Sequence, residues 1–122
     1  MKYTHEFNGD IEVCTVRVSG IFTRPGDAIE IEKAVYSLYK ELAYSRFLVD
    51  MTNARIVSST IDTFVAGNPP GEIASTLRTL RVAVLYSKLS ADEQFLENVS
   101  VNRGFMLHVF DESDEAIEWL VQ

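Results

Sequence analysis

The chain has 122 residues, the length of one ordinary domain, and its 47% hydrophobic and 24% charged composition is that of a globular fold with no low-complexity segment. Its formal charge of −7 is uneven: residues 1–91 carry ten acidic and ten basic side chains, whereas residues 92–122 carry eight acids against Arg103 alone. That balance excludes nucleic acid as an expected partner, the single Cys14 excludes an internal disulfide or a cysteine cluster, and no apolar run approaches the ~20 residues that span a bilayer.

Taken in chain order, Tyr3–Phe7 and Ile11–Ser19 alternate and are rich in β-branched residues, with Asn8-Gly9-Asp10 between them as a hairpin signal. The period changes at Pro25, which suits a helix start, and Asp27 and Glu30 favour the positive end of the dipole. Ala28, Ile31, Val35, Leu38 and Leu42 then form one apolar helical face. Arg46–Met51 reads as a buried strand, followed by a short loop and a helix that carries Ser58, Ser59 and Thr60 on its first turn and Ile61, Phe64 and Val65 on its inner face. Gly67-Asn68-Pro69-Pro70-Gly71 interrupts that helix, and a further turn or two is expected around Ile73 and Leu77. Val82–Tyr86 and Phe105–Phe110 are apolar on both faces, as in parallel strands covered on each side. Ser90-Ala91-Asp92-Glu93 is a capping-box pattern for the helix between them, Gly104 is placed to close it, and Ser113 is placed to cap a last helix with Ala116, Ile117 and Leu120 inward. The order β-β-α-β-α-β-α-β-α predicts a single α/β domain over residues 1–122. Its mixed, mostly parallel sheet has about five strands, the first antiparallel, with about four helices.

Two local motifs join that order. Asp50-Met51-Thr52 ends the third strand, with Ser58-Ser59-Thr60-Ile61 a few residues on, and Phe110-Asp111-Glu112-Ser113-Asp114-Glu115-Ala116 precedes Trp119-Leu120. Together they resemble the STAS superfamily, the anti-sigma-factor-antagonist domains, whose third strand ends in Asp-Leu-Ser before an Asp-Ser-Ser/Thr-Gly step. The ending resembles the small stand-alone STAS/SEC14-like (SpoIIAA-like) bacterial proteins, and the likeness runs along essentially the whole chain. The resemblance implies a phosphorylated serine whose phosphate blocks partner binding, and by position this is Ser59. In this chain Ser58 replaces the acidic residue before the serine, and Ile61 stands where glycine is the family residue. A phosphate on a helix's first turn would meet unpaired N–H groups and the positive dipole end, with Arg55 as a charge-assisted partner. The alternative is that Ser58 or Ser59 is an ordinary N-cap.

The other chemistry-bearing residues are sparse. His5 and His108 lie on separate strands, and no His, Cys or carboxylate spacing predicts a metal site. A Ser59–His–Asp50 set lacks the Gly-x-Ser-x-Gly elbow that exposes a nucleophile. No phosphate-binding fingerprint is present, and no cofactor is implied. The expected function is therefore a non-enzymatic, regulatory protein-binding module acting through loop 52–60, with Asp50, Thr52, Arg55, Ser58, Ser59 and Thr60 as its residues. The alternative is a small apolar-ligand or lipid binder. It would use Phe64, Val65, Pro69, Pro70, Ile73 and Leu77, with membrane association at most peripheral. The N-terminus carries no apolar signal-peptide stretch, so a bacterial cytoplasmic location is expected, and pairing into a homodimer at the hairpin edge is left open.

Overall fold

In the computed structural model, residues 1–59, 61–62, 69 and 71–122 are described. Among the described residues nine elements run in the expected order: β1 (Lys2–Asn8), β2 (Val13–Thr23), α1 (Gly26–Leu42), β3 (Arg46–Val57), α2 (Gly71–Leu77), β4 (Arg81–Leu85), α3 (Ala91–Asn102), β5 (Met106–Phe110) and α4 (Ser113–Leu120). Of these, α2 is the further turn expected around Ile73 and Leu77, and residues 60 and 63–65 of the helix expected over 58–65 lie outside the described residues. The sheet order is β1-β2-β3-β4-β5, with β1 antiparallel to β2 and every other pair parallel. Because the parallel strands advance in one direction across the sheet, crossovers of one hand put their helices on one face. Accordingly Ile31, Val35 and Leu38 of α1 and Ala74 and Leu77 of α2 pack on Cys14, Val16, Val18, Phe47, Val49 and Val84. The opposite face is covered by α4, whose Ala116 and Leu120 pack on Val13, Leu48, Ala83 and Leu85. Burying a leucine such as Leu120 contributes about 2 kcal/mol, so this eight-residue helix is held by its apolar stripe more than by its own propensity.

Four local expectations change. The third strand does not stop at Met51 but continues to Val57, because Ser19–Thr23 of β2 offers it a partner as far as the Thr23–Val57 pair. Residues 52–57, expected as loop, therefore form a two-stranded ribbon running beyond the end of β4. The turn after β1 needs its positive φ at Glu12 (54°) rather than at Gly9. Ser90 donates to Glu93 Oε1 at 2.8 Å instead of accepting from the backbone, so the capping pattern is closed between side chains. Ser113 is the first residue of α4 and makes no side-chain cap bond; Glu112 occupies the cap position. Gly104 ends α3 as expected, with φ +89° and its N–H on the Val101 carbonyl.

Candidate functional site

The carboxyl ends of β2, β3 and β4 lie together, the place where open α/β sheets present their polar groups. Between Arg17 and Ser19 of β2 there is one intervening residue, but between their partners Asp50 and Asn53 there are two, so β3 carries one extra residue there. Asp50 holds this bulge: its Oδ1 accepts from Thr52 N at 2.9 Å and from Thr52 Oγ1 at 2.6 Å, while Arg17 Nε stands 3.8 Å from Oδ2. Ser87 Oγ donates to the Thr52 carbonyl at 2.9 Å, tying the segment after β4 to the bulge. The bulge also reverses which residues face inward, from Phe47, Val49 and Met51 to Ala54 and Ile56. Asn53, Arg55 and Val57 are left exposed on the other side.

Where β3 ends, Ser59 is exposed and caps the next helical turn reciprocally. Its Oγ accepts from Asp62 N at 3.1 Å, and its N–H donates to Asp62 Oδ2 at 3.3 Å. Ser58 Oγ donates to the Ser59 carbonyl at 3.0 Å. Around this end lie three exposed apolar side chains, Ile21 (56%), Val57 (47%) and Ile61 (75%). Of the residues expected in the loop, Asp50 and Thr52 thus form the bulge, Arg55 lies on the exposed face of the ribbon, and Ser58 and Ser59 stand at its tip. Thr60 lies outside the described residues.

On the three-helix face a cavity of about 120 Å³ lies between the sheet and α1, α2 and α3. Pro69 and Leu77 line it; Ile73 packs on the core without lining it, and Phe64, Val65 and Pro70 lie outside the described residues. Among the described residues its wall is apolar except for Arg24, Glu32, Tyr86 and Ser100. Arg24, just past the end of β2, has a side chain only 1% exposed; it donates to Glu93 Oε2 at 3.2 Å and to the Tyr86 hydroxyl at 3.1 Å. Burial pushes the Tyr86 hydroxyl up to about 12, Arg24 opposing the rise and Glu93 adding to it. Glu32 differs. Its Oε2 is buried with no hydrogen-bond partner among the described residues, and burial pushes its carboxyl up to about 8. These four polar residues escaped the sequence reading, although one signal was there: Ala28, Glu32 and Val35 share the helical spacing of the apolar stripe.

Other polar and aromatic side chains serve the fold. His108 is exposed on the edge strand β5, 2.8 Å from Glu97 Oε1 and 4.7 Å from the Trp119 ring. Glu97 also accepts from Val109 N at 3.1 Å, occupying an edge N–H that another strand would otherwise seek. Tyr39 and Tyr44 pack partly on the core, and Tyr36 donates to Glu72 at 3.2 Å. Burial pushes the Cys14 thiol up to about 11, away from reactivity. Among the described residues no three His, Cys, Asp or Glu side chains converge as a metal site, and no helix is long and apolar enough to cross a membrane.

No protein-family model and no curated protein matches the sequence. Solved structures do. An uncharacterised DUF3478-family protein with a SpoIIAA-like fold from Shewanella loihica aligns with TM-score 0.56 and 18% identity over 98% of this chain and 92% of its own. A proposed anti-sigma factor antagonist from Thermotoga maritima aligns with TM-score 0.64 and 14% identity, covering 98% and 95% of the two chains. The chain has a STAS-like fold. The Bacillus cell-fate determinant SpoIIAA, in its phosphorylated form, also aligns, with TM-score 0.55 and 15% identity over 97% of this chain and 98% of its own. At these identities the comparison establishes the STAS-like architecture, and the side-chain geometry has to carry any functional reading.

Proposed function

We propose that this chain is a non-enzymatic regulatory binding module that engages a protein partner at the joined ends of β2 and β3, around Ser59. The observation that carries the reading is the surface there: an exposed serine hydroxyl at the strand-to-helix step, with the exposed apolar side chains of Val57 and Ile61 two residues to either side in the chain and Ile21 exposed on the neighbouring strand. Apolar side chains next to a modifiable hydroxyl give a partner both area to bury and a charge switch to sense. The SpoIIAA relative is described as phosphorylated, and the spacing of Ser58-Ser59-Thr60 after Asp50-Met51-Thr52 makes Ser59 the candidate position in this chain. A phosphate on Ser59 Oγ would stand beside the Asp62 carboxylate, which already lies within bonding distance of the Ser59 N–H. Repulsion between them would open the reciprocal cap and alter the docking surface. Affinity capture with the native chain, Ser59→Ala and Ser59→Asp tests this, with circular dichroism as the control for folding. One partner retained by native chain and Ser59→Ala but released by Ser59→Asp is expected. Identical captures by all three folded proteins would refute the switch.

A second reading is favoured by the cavity on the three-helix face. An apolar wall with a few convergent polar groups is the usual form of a small-molecule site. In this reading the space between the sheet and α1, α2 and α3 holds a small apolar ligand, and native mass spectrometry of the freshly purified chain should show an added mass. Reproducibly unliganded protein, with no uptake on incubation with small apolar compounds, would set it aside.

A further inference from the structure

We infer that two copies of this chain join through their β1 strands, antiparallel about a two-fold axis at Thr4, with Lys2 of each copy paired to Glu6 of the other. β1 is an outer strand of the sheet, and all seven of its residues are exposed. The N–H and C=O of every second residue therefore point away from the sheet, open to another strand. Sheet edges are usually protected by shortness, a bulge, a proline, a covering side chain or charge. β5, the other edge, is five residues long and has Glu97 on its Val109 N–H. β1 has no proline, and its register with β2 runs without a bulge from Lys2 to Asn8. Nor does α1 cover it: Tyr3 and His5 face an open groove against Glu30, Lys33 and Ser37.

The charges of Lys2 and Glu6 are the strand's defence, and one register turns them into attraction. A two-fold axis normal to the sheet sets even residues of β1 opposite even ones and odd opposite odd. Centred on Glu6, the pairing opposes two carboxylates, which repel. Centred on His5, it sets Lys2 opposite Asn8 and Glu6 opposite Thr4. Centred on Thr4, it sets Lys2 opposite Glu6 at both ends. The face that carries these charges favours the last arrangement. Arg17 lies between two acids, paired with Glu6 on β1 and 3.8 Å from Asp50 on β3. The row Asp50, Arg17, Glu6 alternates in sign and ends on a carboxylate at the sheet edge. Lys2, which makes no ion pair among the described residues, continues that row from the second copy. On the other face Tyr3, 39% exposed in the single chain, meets His5 of the second copy in both halves, so ring surface leaves water.

Sedimentation equilibrium of the untagged full chain at low salt, from about 10 μM to about 1 mM, should show monomer and dimer in exchange. Lys2→Glu and Glu6→Lys, each verified as folded by circular dichroism, should each weaken self-association at least about tenfold, because each sets like charges opposite at both ends. An equimolar mixture of the two variants should dimerise again, since every reversed side chain then meets its complement. A surface that was merely damaged would not recover. Register has its own readout. Cα atoms directly opposite lie about 4.5–5.5 Å apart, inside the span of a disulfide, whereas a two-residue offset takes them beyond about 7 Å. Thr4→Cys should therefore cross-link across the axis under mild oxidation, and His5→Cys should not. A chain that stays monomeric throughout the range, or a dimer that both reversals leave unchanged, overturns the interface. Failure of the mixture to recover overturns the charge pairing, and cross-linking through His5→Cys rather than Thr4→Cys overturns the register.

Discussion

Replacing Glu32 by glutamine keeps the side-chain shape and removes the titration, so it isolates the cost of a buried acid. Burial raises the carboxyl from 4.5 to about 8. One pKa unit is about 1.4 kcal/mol, so ionising Glu32 in the folded chain costs on the order of 5 kcal/mol more than in the unfolded chain, of which about 3 has developed by pH 7. Glu32 is partly rather than fully buried, and water that reaches it trims the pH 7 figure to roughly 2–3 kcal/mol. Between pH 4.5 and 8 the folded form keeps a proton that the unfolded chain has lost. This group therefore lowers stability as pH rises through that window and does not do so below it. Urea denaturation of native chain and Glu32→Gln at pH 4.5, 6, 7 and 8 separates the effect, since the other carboxyls titrate alike in both. The two proteins should match within about 1 kcal/mol at pH 4.5, and the glutamine variant should lead by about 2–3 kcal/mol at pH 7 and by more at pH 8. A difference that stays constant with pH, or one that favours the native chain as pH rises, would refute the assignment of Glu32 as a buried, unsatisfied acid.

Other contacts give independent tests. Arg24→Met strands Glu93 in a buried site and should cost about 3–5 kcal/mol, whereas the double change Arg24→Met with Glu93→Leu should recover much of it in a double-mutant cycle. Asp50→Ala removes the acceptor that holds the β3 bulge; a loss of about 1–3 kcal/mol and faster hydrogen exchange at the Thr52 amide are expected, the latter read by NMR. Gly104→Ala places a Cβ at φ +89°, with Arg78 Cδ 3.7 Å away, and should lower stability by about 1 kcal/mol in chemical denaturation without altering the spectrum of the folded state.

Several features were legible because their cause is local. The Ala28–Leu42 spacing marks the buried stripe of α1, whose Ile31, Val35 and Leu38 are indeed the buried residues. Alternation from Val13 to Val18 shows which β2 side chains enter the core, and Gly104 marks the end of α3 through its own backbone freedom. Asp50-Met51-Thr52 was identifiable as a motif, but its work as a bulge clamp was not, since a bulge exists only relative to the partner strand. The same reason explains the misplaced end of β3. Asp50 and Asn53 disfavour a strand, and pairing with Ser19–Thr23 overrides that preference.

By itself the sequence determined the kinds of elements, their order and which stripe of each is apolar, because these depend on the period of side chains along one segment. Only the tertiary structure decided that three helices share one face, that Arg24 meets Glu93 across 69 residues, and that Glu32 turns from a charge beside an apolar stripe into a buried acid. Burial and partnership belong to the space between elements. A cavity has no residue of its own in the chain.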